Sequence, residues 1–136
     1  MEEIVRLAIA LVLGAGVIGA ACAGKALFRR TLESHREAAA DDLVSQYDLP
    51  AGEPGILYFS GDRCVQCVAL QEPALARLAK VQPVNVRKLV AVAEPALTKR
   101  FNILTVPSTV VIGADHRVRG VNVGFADEKT LLQQLA

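Results

Sequence analysis

The sequence predicts an α/β protein: a mixed four-stranded sheet flanked by helices, preceded by one N-terminal transmembrane helix and a helical connector. Three observations predict it. An uncharged apolar run fills the front of the chain. Short strand-forming runs then alternate with helical patterns. Two of the three cysteines, Cys64 and Cys67, stand at the first strand-to-helix junction.

The 136 residues suffice for one modest domain and an appendage. Hydrophobic residues make up 52% of the chain, much of the excess lying at the front, so the average hides two different segments. The net charge is +1, and no basic stripe interleaved with aromatics occurs, so no nucleic-acid partner is expected. The residues divide into an N-terminal membrane anchor over 1–25, a helical connector and loop over 26–55, and a folded domain over 56–136.

The first element is LAIALVLGAGVIGAACAG, Leu7 to Gly24, 18 residues with no charge or strong polar group. At about 1.5 Å per residue it nearly crosses a hydrocarbon core of ~30 Å. Continuing through Leu27 and Phe28, with Lys25 snorkelling, completes the span. The reading is a single-pass membrane helix. A cleaved signal peptide is the rival, but MEEIVR carries two acids and one Arg where a positive n-region belongs. A lipid-attachment box ending at Cys22 would want Leu where Gly19 stands, and Cys22 then reads as a small apolar residue of the span. A buried core helix is the remaining alternative. Arg6 is offset by Glu2 and Glu3, whereas Lys25, Arg29, Arg30 and Arg36 follow the span, which favours a cytoplasmic C-terminal side. Ala15, Gly19 and Ala23, like Gly16, Ala20 and Gly24, recur at a spacing that lets two helices approach, so helix-mediated self-association is an expectation. The bland alternative is that Gly and Ala are common in such helices.

Ala26 to Tyr47 is helical in composition and expected to run on from the span. Glu33, Arg36, Glu37, Asp41 and Asp42 make a solvated face, and His35 among them reads as exposed. DLPAGEPG, Asp48 to Gly55, then breaks the helix.

The domain opens with the strand ILYFS, Ile56 to Ser60. After the cysteines, Val68, Leu75, Leu78 and Ala79 fall near helical spacing, and Pro73 should kink that helix. VNVRKLVAV, Val84 to Val92, is the second strand, its apolar end suggesting a central place in the sheet. Glu94 to Phe101 is a short helix with Pro95 in its first turn. STVVIG, Ser108 to Gly113, and Val118 to Val123 form a hairpin around Ala114 to Arg117. Asp127 caps a last helix ending at Leu135. The alternating first half asks for parallel pairing through right-handed crossovers, and the hairpin adds antiparallel strands.

A helix starting near Cys64 brings both sulfurs within one turn, close enough for a small disulfide. Unpaired N–H groups and the helix dipole there, with Arg63 adjacent, favour a Cys64 thiolate. Cys67, one turn in, suits a resolving role. A metal site wants about four ligands, and the chain offers no second pair and only His35 and His116. Two inert core cysteines are the third reading. Val106-Pro107 precedes the third strand, where proline is tolerated.

Together, YFSGDRCVQC, KRFNILTVPSTVVI, the hairpin through Gly124 and the last helix resemble the thioredoxin family, over Ile56 to Leu135. The chain looks like a membrane-anchored bacterial thioredoxin-like protein. The resemblance implies a thiol–disulfide oxidoreductase whose partners are protein thiols or disulfides. It needs no cofactor beyond a redox-active Cys64–Cys67 disulfide. It makes Cys64 the attacking thiol, Cys67 the resolving thiol, and Pro107 a cis-proline against them. Val106 would offer backbone groups to an extended substrate, with Gly124 near the same groove. The family commonly has Trp where Arg63 stands, an aromatic at Ser60, Gly-Pro at Val65-Gln66, and a buried Asp at Tyr58. Its extra N-terminal strand has no counterpart. Changes between the cysteines are expected to shift the reduction potential. A thioredoxin-like binding module with little turnover, and soft-metal handling by the two thiolates, are the alternatives.

Overall fold

The computed structural model describes residues 1–36 and 40–136, with no side-chain detail over 29–39. The described residues form two compact units, Met1–His35 and Arg36–Ala136.

The first unit is one helix, α1 (Glu2–Arg36). Its stretch Glu2–Phe28, 27 residues, is long and apolar enough to cross a membrane. Ile4, Leu11, Val12, Val17, Ile18 and Phe28 are exposed around its circumference. An all-round apolar helix has no single face to bury against a soluble core. The expected exposure of His35 and the solvated face at Glu33, Arg36 and Glu37 concern side chains outside the described ones.

The second unit is built on one mixed sheet. Its described strands are β1 (Gly55–Ser60), β2 (Asn85–Val90), β3 (Ser108–Ile112) and β4 (Val118–Val123). Their spatial order is β2-β1-β3-β4. β1 pairs parallel with β2, Tyr58 opposite Lys88, and antiparallel with β3, Tyr58 opposite Thr109. β3 and β4 form the expected hairpin, irregular at Val111/Ile112 where Gly120 and Val118 are the successive partners.

The alternation of side chains along β1 and β3 sends them into two cores. Leu57, Phe59, Val110 and Ile112 pack with helices α2 (Asp41–Gln46) and α4 (Pro95–Arg100) through Leu43, Val44 and Leu97. Ile56, Tyr58 and Val111 pack with α3 (Glu72–Val81) and α5 (Glu128–Leu135) through Leu75, Leu78 and Leu131. Each large apolar side chain so buried is worth about 1.5–3 kcal/mol. Asp127 caps α5 as expected, its carboxylate accepting from Thr130 N at 2.8 Å.

Four expectations need revising. β2 is not central but lies at the sheet edge, with Arg87 and Lys88 exposed. Charged side chains on an edge strand discourage further pairing, which explains their place in an otherwise apolar run. The helix expected over 26–47 is two helices, α1 and α2. Asp41 and Asp42 are solvated, but Ala40, Leu43, Val44 and Leu49 are buried in the sheet's core, so the second half of the segment 26–55 supplies core residues. Of the apolar positions read after the cysteines, Leu75 and Leu78 are buried, while Val68 and Ala79 are exposed. The disturbance expected at Pro73 falls just before it, as a π-turn over Cys67–Gln71. Proline lacks the N–H that would close the next turn, and the wider turn accommodates the loss while Pro73 sits in the first turn of α3.

Candidate active site

The chain leaves β1 at Ser60 and turns sharply through Gly61, Asp62 and Arg63 before the helical residues 65–66 and the π-turn. Arg63 carries the turn in the left-handed region, at φ 59°. A side chain there costs roughly 1–2 kcal/mol relative to the right-handed region. Cys64 follows as the residue that starts the helix. Its Sγ accepts a hydrogen bond from Cys67 N at 3.2 Å, the placement of an N-cap side chain. Cys64 and Cys67 are joined by a disulfide, with Cα atoms 5.3 Å apart. Cys64 is half-buried, whereas Cys67 is only 2% exposed. One sulfur is therefore reachable by a partner, and the other is reached through it.

The second wall is the segment ahead of β3. The Val106–Pro107 bond is cis, and Pro107 is buried. Val106 packs against the core that holds Cys64 and Cys67. It also closes on the turn: a Cβ at Gly61 would come within 3.1 Å of Val106 Cγ2. The third wall is Gly124 at the end of β4, with φ 93°, a conformation that favours glycine. Gly124 N donates to Ser108 Oγ at 3.4 Å, which joins it to the segment carrying Val106 and Pro107. The structure thus brings Cys64, Cys67, Val106, Pro107 and Gly124 to one end of the sheet, with Arg63 exposed in the turn.

The surface around Cys64 is apolar. A shallow depression of about 450 Å³ is lined by Gly61, Arg63, Cys64, Val65, Val68 and Ala69. Val65 is 77% exposed and Val68 66%. Leaving two valines in water forgoes hydrophobic stabilisation that burial against a partner would recover. A second apolar depression, about 400 Å³, runs from Val106 along Leu104, Ile103 and Val92. A third depression, about 660 Å³, is polar, with Asp115, Arg117 and Arg119 at the hairpin end of the sheet; it shares no residue with the cysteine site.

Tyr58 occupies the place where the resemblance puts a buried acid. It is 1% exposed, and its Oη has no hydrogen-bond partner among the described residues. Burial, then the nearby Glu72 carboxylate, push its pKa up to about 12. Lys88 lies over the ring, with Nζ 6.0 Å from the centroid, and is engaged by Glu72. The core beneath Cys67 thus holds a phenol that stays neutral through the physiological range.

Sequence reading missed two polar side chains that hold the site together. Gln71, fully buried on the inner face of the π-turn, bonds both backbone groups of Ala126. Ser108, also fully buried, donates to Thr105 O at 2.7 Å while accepting from Gly124. The only signal in the sequence was a polar residue at helical spacing from Cys67, four positions on. Among the described residues no group of three or more His, Cys, Asp or Glu is placed to hold a metal ion.

No family model matches the chain, and no curated protein matches it. Solved structures do. A point mutant of a thioredoxin from Halobacterium salinarum superposes with a TM-score of 0.56 and 26% identity, covering 66% of this chain and 79% of its own. A thioredoxin-like protein from Clostridium perfringens gives a TM-score of 0.53 and 23% identity, covering 64% and 71%. The fold is thioredoxin-like, and it carries a Cys-x-x-Cys disulfide at the start of the helical segment that follows β1.

Proposed function

We propose that this chain is a membrane-tethered thiol–disulfide oxidoreductase, with Cys64 attacking and Cys67 resolving. One observation carries the reading. A reachable Cys64 and a buried Cys67 share a disulfide at a helix start, beside the cis Val106–Pro107 bond, in a thioredoxin-like fold. The apolar stretch Glu2–Phe28 supports the tether.

In the reducing direction the Cys64 thiolate attacks one sulfur of a partner disulfide. The Cys64–partner bond forms, the partner S–S bond breaks, and the departing partner thiolate takes a proton from solvent. The Cys67 thiolate then attacks Cys64 Sγ. The intramolecular disulfide forms, and the second partner thiolate leaves. Two electrons pass from the dithiol to the partner, and the same steps reversed oxidise a partner dithiol. Val106, half-buried beside the turn, offers backbone groups to an extended partner segment, with Gly124 across the groove and Pro107 behind the disulfide. Arg63 and the helix start favour the thiolate of Cys64. The charge distribution around α1 favours a cytoplasmic domain, and the small-residue rows of α1 offer a surface for self-association.

The test is Cys67→Ser in intact cells. The account expects partner adducts that disappear on reduction and require Cys64. Absence of any Cys64-dependent adduct on non-reducing gels would sink it. The neutral Tyr58 favours a second reading, a binding module with little turnover, since position 58 holds a phenol and the nearby Glu72 carboxylate is engaged by Lys88. That reading expects partner capture to survive replacement of both cysteines by serine.

A further inference from the structure

We infer that Gln71 is the positioning residue of the substrate groove, setting the Gly124 wall against the cysteine pair from inside the π-turn. The inference rests on the oxidoreductase reading and deepens it.

Cys67 and Gln71 are the two buried residues of the π-turn. Gln71 is 0% exposed, and its partner Ala126 packs in the core that holds Cys67. Its Nε2 donates to Ala126 O at 3.0 Å, and its Oε1 accepts from Ala126 N at 3.0 Å. A side-chain amide that uses its donor and its acceptor on one residue's backbone fixes that residue in position and orientation. Because the groups are buried, water cannot replace either bond.

Ala126 lies two residues beyond Gly124, and the same wall is tied from the other side. Gly124 N donates to Ser108 Oγ, which donates to Thr105 O, bracketing Val106 and Pro107. The two buried polar side chains therefore link all three walls: the π-turn with Cys67, the 124–126 loop, and the 105–108 segment. Gly124 is the half-buried rim of this frame. Among the described residues nothing lies within 4 Å of where its Cβ would be, so a partner backbone can approach there. Val123 and Phe125 flank it, 49% and 41% exposed.

A macromolecular disulfide needs this wall at a set distance from Cys64. A small disulfide needs only the sulfur. Gln71 thus governs docking of extended substrates and leaves the intrinsic reactivity of Cys64 alone.

The test uses the full chain in detergent micelles, pre-reduced, in single turnovers against insulin and against bis(2-hydroxyethyl) disulfide. Gln71→Met keeps length and removes both polar atoms. Gln71→Glu keeps the acceptor for Ala126 N. Ser108→Ala cuts the other tie and serves should the Gln71 variants fail to fold. Gln71→Met is expected to raise the half-saturating insulin concentration about tenfold at unchanged maximal rate, with the small-disulfide rate within about twofold of wild type. Gln71→Glu should fall between the two, and Ser108→Ala should show the same split. A parallel fall with both substrates would mark a merely structural role and overturn the inference, as would wild-type behaviour with both. If the wild-type chain reduces neither substrate, the oxidoreductase reading itself fails. If it reduces both and the variants match it, only the role of Gln71 fails.

Discussion

Two residues near the cysteine pair, Arg63 in the turn and Tyr58 in β1, carry different kinds of cost. Arg63 holds a left-handed backbone that suits glycine, and it immediately precedes Cys64. Arg63→Gly is expected to raise stability by about 1 kcal/mol and to slow alkylation of reduced Cys64 at neutral pH. Thermal melts and iodoacetamide kinetics check the two halves separately. A faster-reacting Cys64 in that variant would contradict the electrostatic role. Tyr58 buries a hydroxyl that has no partner among the described residues. Tyr58→Phe keeps the ring and drops the orphan donor, so it should be neutral or stabilise by about 1 kcal/mol. A loss of that size would reveal a bound water or partner at Oη. The cysteine pair stood out at this scale because its spacing is local, whereas Pro107 entered through the resemblance. Gln71 was not legible. A glutamine in a helix reads as solvated unless its helix geometry and the loop packed over it are both known, and neither is a local property.

The elements follow the apolar runs closely, because strand alternation and proline or glycine breakers are short-range signals. Ile56 to Ser60 and Ser108 to Gly113 emerged as strands within a residue of their ends, and Asp127 as a cap. What failed was order in space. VNVRKLVAV reads as a central strand by composition, yet its neighbours place it at the edge, where Arg87 reaches the carbonyls of Tyr47 and Asp48 at 2.9 and 2.8 Å. Val68 reads as core by its spacing, yet it faces out beside Cys64. The π-turn over Cys67–Gln71 takes it off the α-helical period that Leu75 and Leu78 follow. α2 is the other departure. Its six residues looked like the end of a solvated connector, but Leu43 is 1% exposed under the sheet. Leu43→Ala is expected to cost about 2–5 kcal/mol of domain stability. A cost below about 1 kcal/mol in denaturant melts would show that the folded domain begins nearer Ile56.

For the whole molecule, both tyrosines of the chain report on folding at high pH. Tyr58 is pushed up to about 12 by burial and then by Glu72. Tyr47 is pushed up to about 12 by burial and then by the Glu94 carboxylate, to which its hydroxyl donates at 2.8 Å. A phenol whose folded pKa lies above its ordinary value near 10 stabilises the fold fully below that value. The contribution is lost as pH rises from about 10 to about 12. Ultraviolet titration should therefore show tyrosinate appearing near 12 or together with unfolding. Ionisation of either ring centred near 10 with the fold intact would contradict the packing described. The sidedness of the domain is a separate matter of charge flanking α1. A membrane-impermeant thiol reagent that labels Cys64 in intact cells after reduction, without lysis, would place the domain outside.

The central claim is that Cys64 and Cys67 exchange electrons with a partner as a couple. The direct measurement is a quenched thiol count on the pre-reduced full chain mixed with one equivalent of a protein disulfide. The account predicts that Cys64 and Cys67 lose two thiols together as the partner gains two, that Cys67→Ser stops at a Cys64-linked adduct, and that Cys64→Ser does nothing. Partner reduction that proceeds equally well in Cys64→Ser, or a wild-type pair that stays reduced beside an intact partner disulfide across pH 6 to 9, would contradict it.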